Sequence, residues 1–200
     1  IKYLAGNRIQ GTSEDPITFR DNFVSDKWSN GSAINVDTTT CKLDYDGSRA
    51  ADDGADYDVG TANVSESAWT LRFCLSPTTL TWSSVAEPVF IVLSDSNKTV
   101  VGEDSQDSIG IVVKIDGSHQ NGQIRTVWGN SQGIGSGGES DLVPDLINIK
   151  GAWYVDITRT SATTFTVSVY RNSDYTNLVA TKDVTGVTAT GLRYIKVCNY

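Results

Sequence analysis

Thr164-Phe165-Thr166-Val167-Ser168-Val169-Tyr170 decides the fold class. Its apolar residues Phe165, Val167 and Val169 recur at every second position, with Thr166, Ser168 and Tyr170 in register with one another. Successive side chains of an extended strand point to opposite faces, so this alternation describes a strand with one buried and one wet face. Just upstream, Ala152-Trp153-Tyr154-Val155-Asp156-Ile157-Thr158-Arg159 alternates in the same way, placing Trp153, Val155 and Ile157 on one face. The intervening Thr160-Ser161-Ala162-Thr163 is short and polar, so the two strands are expected to form a hairpin.

Outward from this hairpin, strand-like runs occur at Ile17–Phe23, Ala33–Val36, Lys42–Tyr45, Trp69–Leu75, Val89–Leu93, Ile109–Ile115, Gln123–Trp128, Leu178–Lys182 and Leu192–Val197. With the hairpin they make about a dozen short strands at the spacing of a β-sandwich. Val89–Leu93 and Ile109–Val113 are almost continuously apolar and are expected at the centre of a sheet, covered on both faces. Asp46–Asp58, Ser94–Asp107 and Gly129–Pro144 read as irregular. No segment carries a helical period. The expected fold is all-β, a two-sheet antiparallel jelly-roll sandwich with negligible helix. Residues 17–200 are expected to form this single domain, and residues 1–16, ending at Pro16, an N-terminal arm or edge strand.

Composition narrows the function. Net charge is −8, a field that repels phosphate backbones and anionic lipid, so nucleic acid is not an expected partner. No stretch is long or apolar enough to span a bilayer, and membrane insertion is not expected. The chain contains no Met and starts at Ile1, as a processed protein or a trimmed domain would. Cys41, Cys74 and Cys198 lack metal-type spacing and sit in apolar strand-like runs, where cysteine behaves as a small core hydrophobe. Asn30-Gly-Ser, Asn63-Val-Ser and Asn97-Lys-Thr fit the glycosylation pattern, one that arises by chance in a Ser/Thr-rich chain.

The run Trp153-Tyr154-Val155-Asp156-Ile157-Thr158-Arg159 through Val167-Ser168-Val169-Tyr170 resembles a recurring hairpin of the concanavalin A-like, laminin G-like jelly rolls. Phe19-Arg20-Asp21-Asn22-Phe23 with Trp28 resembles their first strand, and Gly191–Val197 their returning C-terminal strand. Asn7–Ser13 and Ser105-Gln106-Asp107 are similar to segments of uncharacterised phage and archaeal jelly-roll proteins. The resemblance implies a fold shared by lectins, adhesion modules, glycanases and structural shells, which leaves function to the site.

Asp44, Asp46, Asp52, Asp53, Asp56 and Asp58, interspersed with glycines, form the densest acidic stretch and the candidate calcium site. Calcium takes six to eight oxygens, which an Asp/Gly-rich loop can supply; the alternative is a solvated turn in which Asp bonds its own backbone. Glycan hydrolysis needs two carboxylates flanking the scissile bond. Glu14, Glu66, Glu87, Glu103 and Glu139 all fall in expected turns or loops, and Asp156 has no evident partner. Arg193–Tyr200 faintly resembles the last strand of jelly-roll alginate lyases, and Gln123-Ile124-Arg125 stands where those enzymes carry Gln-Ile-His. His119, the only histidine, lies in a Gly/Asn turn and offers no base there. Catalysis is therefore not expected.

Of the five tryptophans, Trp69 and Trp153 alternate with core residues and are expected to be buried. Trp28, Trp82 and Trp128 lie near loop edges and are the candidate stacking surfaces for sugars. Two readings follow. One is a non-enzymatic, lectin-like glycan-binding module on an extracellular, cell or virion surface. The other is a structural subunit of a filament, tube or particle, whose partners are copies of itself joined through sheet edges and the N-terminal arm.

Overall fold

The computed structural model describes residues 28–30, 34–37, 42–45, 54–76, 89–97, 106–114, 122–129, 137–143 and 151–199, with backbone alone at 30, 34–37, 42–45 and 199. The arm (1–16), the expected strand Ile17–Phe23, Trp82, His119 and Cys41 lie outside these residues. In chain order the strands are β1 (Ser29–Asn30), β2 (Ile34–Asp37), β3 (Lys42–Tyr45), β4 (Gly54–Asp58), β5 (Trp69–Leu75), β6 (Val89–Ser94) and β7 (Ser108–Lys114). There follow β8 (Gln123–Gly129), β9 (Gly138–Val143), β10 (Trp153–Ser161), β11 (Thr164–Tyr170), β12 (Leu178–Thr185) and β13 (Tyr194–Asn199). One short 3₁₀ turn, Thr61–Asn63, is the only helical element among the described residues.

The strands form a seven-stranded sheet ordered β1-β4-β13-β6-β7-β8-β9 and a four-stranded sheet ordered β12-β11-β10-β5, with β2 and β3 paired as a separate hairpin. All pairings are antiparallel. The two large sheets pack face to face as the expected sandwich. The period-two reading explains which side faces in: Phe165, Val167 and Val169 of β11 and Trp153, Val155 and Ile157 of β10 are buried. They meet Ile91, Leu93, Ile109, Ile111, Val113, Ile195 and Val197 from the larger sheet in one core. Burying such side chains contributes roughly 1.5–3 kcal/mol each relative to exposure.

The central position expected for β6 and β7 is observed, and its reason is visible. Their outward residues Phe90, Val92 and Val112, with Val127 and Cys198, make a second buried apolar cluster on the face remote from the four-stranded sheet. Both faces of these strands are therefore dry, which is why their sequences do not alternate.

Two expectations need correction. Gly54–Asp58, read as irregular, is β4, paired with β13; Gly138–Val143, also read as irregular, is β9, paired with β8. Both strands escaped notice because their outward positions are polar or glycine rather than apolar. In β4 the outward residues are Gly54, Asp56 and Asp58. Gly54 is required there, since a Cβ would lie 2.7 Å from Cys198 Cβ and 2.8 Å from the Val197 carbonyl oxygen.

Candidate functional site

The outer face of the four-stranded sheet is the one extended, partly exposed surface whose side chains are described throughout. Register fixes its rows. Cys74, Tyr154, Tyr170 and Leu178 form the first, Arg72, Asp156, Ser168 and Thr181 the second, and Thr70, Thr158, Thr166 and Asp183 the third. Because the inward positions are apolar, these outward ones are free to be polar, and they bond laterally across strands. Thr70 and Thr158 hydroxyls lie 3.0 Å apart, Ser168 and Thr181 hydroxyls 2.9 Å apart, and Thr166 Oγ1 donates to Asp183 Oδ1 at 2.6 Å. Arg72 Nε donates to Asp156 Oδ2 at 2.7 Å, and Thr158 Oγ1 donates to the other oxygen at 2.7 Å. Asp156, for which the sequence offers no partner, is thus held from two sides.

The first row is completed by a residue from the loop between β11 and β12. Tyr175 packs edge-on against Tyr170 and Tyr154, with ring centroids 5.4 and 6.0 Å apart, and the Arg72 guanidinium lies 4.8 Å from the Tyr175 ring centroid. Tyr175 has φ 58°, and it is the only non-glycine residue at positive φ among the described residues. A bulky side chain in that region costs roughly 1–3 kcal/mol, so the loop must hold it there. Asn172 does much of the holding. Its Oδ1 accepts from the Thr176 and Asn177 amides at 3.1 and 2.8 Å, and its Nδ2 donates to Thr176 Oγ1 at 2.8 Å. The Tyr175 amide donates to the Asn172 carbonyl at 3.2 Å, and the Arg171 amide to that of Asn177 at 3.0 Å. Burial pushes the Tyr154 phenol above its ordinary range, with the neighbouring Cys74 adding to the effect.

The described residues among those singled out from sequence fall elsewhere. Trp28 is 8% exposed and packs on Tyr57 at 5.8 Å between centroids, which leaves little ring for a sugar. Trp128 is half-buried, packs edge-on against Phe165, and lies so close to Gly137 and Gly138 that a Cβ on either would strike the indole. Its ring seals the β8–β9 corner. Of the acidic stretch, Asp56 and Asp58 stand on the outward side of β4 and Asp44 on the β2–β3 hairpin; Asp46, Asp52 and Asp53 lie outside the described residues. Arg193 donates to both oxygens of Asp58, the Gly60 amide donates to Oδ1 at 2.8 Å, and the guanidinium holds this carboxyl below its ordinary range. Asp56 is raised by burial, an effect that the neighbouring Lys196 opposes. Among the described residues no His, Cys, Asp and Glu side chains gather as a metal-binding group.

Glu139, expected in a loop, is on β9. Lys114 Nζ and Arg125 donate to its Oε2 at 2.7 and 2.9 Å, and Arg125 Nε lies 2.7 Å from Asp141. Both carboxylates at this rim are therefore neutralised by cations. Nearer the middle of the same face, Lys196 is fully buried and donates to Gln106 Oε1 at 2.9 Å; burial pushes its ammonium below the usual lysine range.

The fold and this surface define an antiparallel β-sandwich that carries a polar, tyrosine-ended sheet face. Comparison with protein-family models, curated proteins and solved structures finds no match to this chain.

Tyr154 and Tyr170 could have been found from the alternation that buries Trp153 and Val169, because it turns both tyrosines outward. Tyr175 could not, because a loop residue has no period and nothing local in Ser-Asp-Tyr-Thr announces a positive φ.

Proposed function

We propose that this protein is a non-enzymatic recognition module of an extracellular, cell or virion surface that binds glycans in the manner of a lectin, using the outer face of its four-stranded sheet. The observation that carries the reading is Tyr175, an aromatic ring held in a strained backbone conformation beside two other half-exposed tyrosines and an arginine. Strained non-glycine residues cluster at ligand clamps, and aromatic rings stack on the apolar faces of sugars. Supporting it, Asp58, Glu139, Asp141, Asp156 and Asp183 on the outer faces are bonded to arginine, lysine or hydroxyl groups, an arrangement suited to binding rather than to paired acid–base chemistry.

Tyr175→Asn tests the reading, because asparagine accepts positive φ and removes the ring. The variant is expected to keep the fold, with its melting temperature little changed, and to lose glycan-array binding seen with the parent. Unchanged array binding by a folded Tyr175→Asn would sink the assignment of this face.

A second reading, assembly with copies of itself, is favoured by one observation. The edge strand β12 exposes Leu178 (51%) and Val179 (43%), the two large hydrophobic side chains most open to solvent among the described residues. The same strand carries features that oppose edge pairing, so recognition is placed first.

A further inference from the structure

We infer that the ligand is a neutral oligosaccharide several sugars long, lying across the outer face of the four-stranded sheet rather than a single sugar seated on the tyrosines. The inference rests on the recognition reading above and deepens it.

Length follows from the rows. From Tyr154 to Thr158 is four residues, about 13 Å of strand at about 3.3 Å per residue. The four strands span about 14 Å at about 4.8 Å per spacing. Over that area the surface changes character in order. Tyr154, Tyr170, Tyr175 and the exposed Leu178 offer apolar area at one end, while the Thr70–Thr158 and Ser168–Thr181 hydroxyl pairs, the Arg72–Asp156 ion pair and the Thr166–Asp183 bond occupy the rest. A hydroxyl both donates and accepts, and so does every hydroxyl of a sugar, so the Thr70–Thr158 and Ser168–Thr181 pairs can exchange bonds with a polyol without stranding a donor or acceptor. A monosaccharide on the tyrosine row would leave these rows unused.

Charge decides the class. The face and its loop carry two cations, Arg72 and Arg171, against three carboxylates, Asp156, Asp174 and Asp183. Arg72 is bonded to Asp156, while Arg171 stacks on the Trp153 indole at 4.3 Å and donates to the Ala152 carbonyl at 3.4 Å. Both guanidiniums are thereby engaged within the protein. An anionic glycan would meet a face of no net positive charge on a chain of net charge −8. A neutral one meets no such opposition.

Calorimetric titration with neutral gluco- and manno-oligosaccharides of one to six units, beside uronic-acid and sulfated chains of matched length, tests the inference. The expected result is binding of a neutral series whose affinity rises at least about tenfold from one unit to four, equivalent to about 1.4 kcal/mol. That binding should not change when salt shortens the Debye length from about 10 Å to about 3 Å. Tyr170→Ala should weaken every length, whereas Thr181→Val, at an exposed position that tolerates change, should remove only the gain with length. Preference for acidic chains that fades with salt would overturn the charge assignment and leave recognition standing. Affinity independent of length would overturn the extended face. If no sugar of any class binds the folded parent, the recognition reading itself falls.

Discussion

Arg72 and Asp156 stand directly opposite each other on β5 and β10, and an Nε–Oδ2 ion pair of 2.7 Å joins them on the outer face. Asp156 is the more deeply placed partner, its side chain 10% exposed against 28% for Arg72. Removing the arginine leaves a mostly buried carboxylate with the Thr158 hydroxyl as its hydrogen-bond partner among the described residues. Arg72→Met is therefore expected to lower stability by about 2 kcal/mol, part of it from the desolvated charge left behind. Adding Asp156→Leu should recover much of that loss, since no buried charge is then left unpaired and the Thr158 hydroxyl can turn its proton to Thr70. Urea midpoints of the two singles and the double close the cycle; simple additivity would mean the pair is uncoupled.

Gly110, on β7, should be intolerant of any side chain. A Cβ there would stand 2.6 Å from Val92 Cα and closer still to the Ile91 carbonyl oxygen, both backbone atoms that cannot swing aside. Gly110→Ala is expected to lose roughly 4 kcal/mol or to fail to fold, because strand β6 must move. Gly186 makes the contrast. It has φ 77°, but a Cβ added there would meet no atom within 4 Å. Gly186→Ala should therefore lower stability by only about 1 kcal/mol, through backbone conformation alone. Thermal melts of the two variants should differ accordingly, and equal losses would refute the close approach at Gly110.

What could be read from sequence tracks where one face is dry and the other wet. Trp69–Leu75 and Thr164–Tyr170 have the bounds expected of them, because each alternates against a single core. β4 and β9 were hidden for a physical reason: Asp56, Asp58, Glu139 and Asp141 occupy their outward positions, and cations from distant parts of the chain attend them, Arg193 pairing with Asp58, Lys114 and Arg125 with Glu139, Arg125 with Asp141, and the Lys196 charge acting on Asp56. Local sequence reads such residues as turn formers, and only the pairing of strands makes them strand residues. The covering of Trp28 and Trp128, the two described tryptophans of the three candidates, is equally non-local. Nothing local says that Gly137 and Gly138 will close over Trp128, or that Tyr57 will cover Trp28.

Cys74 should be inert in the folded protein. Burial pushes its thiol up to about 11, and the Tyr154 hydroxyl, which bonds it, offsets only part of that. At pH 8 roughly one molecule in a thousand would carry the thiolate, the form that reacts. Alkylation of Cys74, followed by peptide mapping at pH 8, is expected to track global unfolding and to be negligible in native buffer. The linkage has a definite sign. Because the folded value lies above the ordinary thiol value of 9.0, this group favours the fold fully below about pH 9, and the contribution is lost as pH rises through about 11. Cys74→Ala should flatten the alkaline fall in stability over that window. Rapid native labelling at pH 8 would contradict the burial.

Lys182 decides between recognition and assembly at the β12 edge. Its register partner is Val167, whose side chain lies in the core, so Lys182 emerges from the core-facing side of the sheet at its exposed rim. One step away, the register shifts between Val169 and Tyr170, leaving Val179 as an extra residue that twists the edge. An inward-pointing lysine and a bulge are devices by which exposed strands avoid pairing with other chains. A second strand added to β12 would carry the ammonium between the layers, where it would lose water without gaining a described partner. Lys182→Val is therefore expected to give a species whose weight-average mass rises with concentration, since it removes the inward-pointing charge that opposes edge pairing. Lys182→Glu should stay monomeric, because either charge blocks pairing. Sedimentation velocity over a wide concentration range reads all three proteins. A parent chain that already polymerises, and that dissociates when Leu178 and Val179 are changed to Ser, would put assembly through this edge in place of recognition.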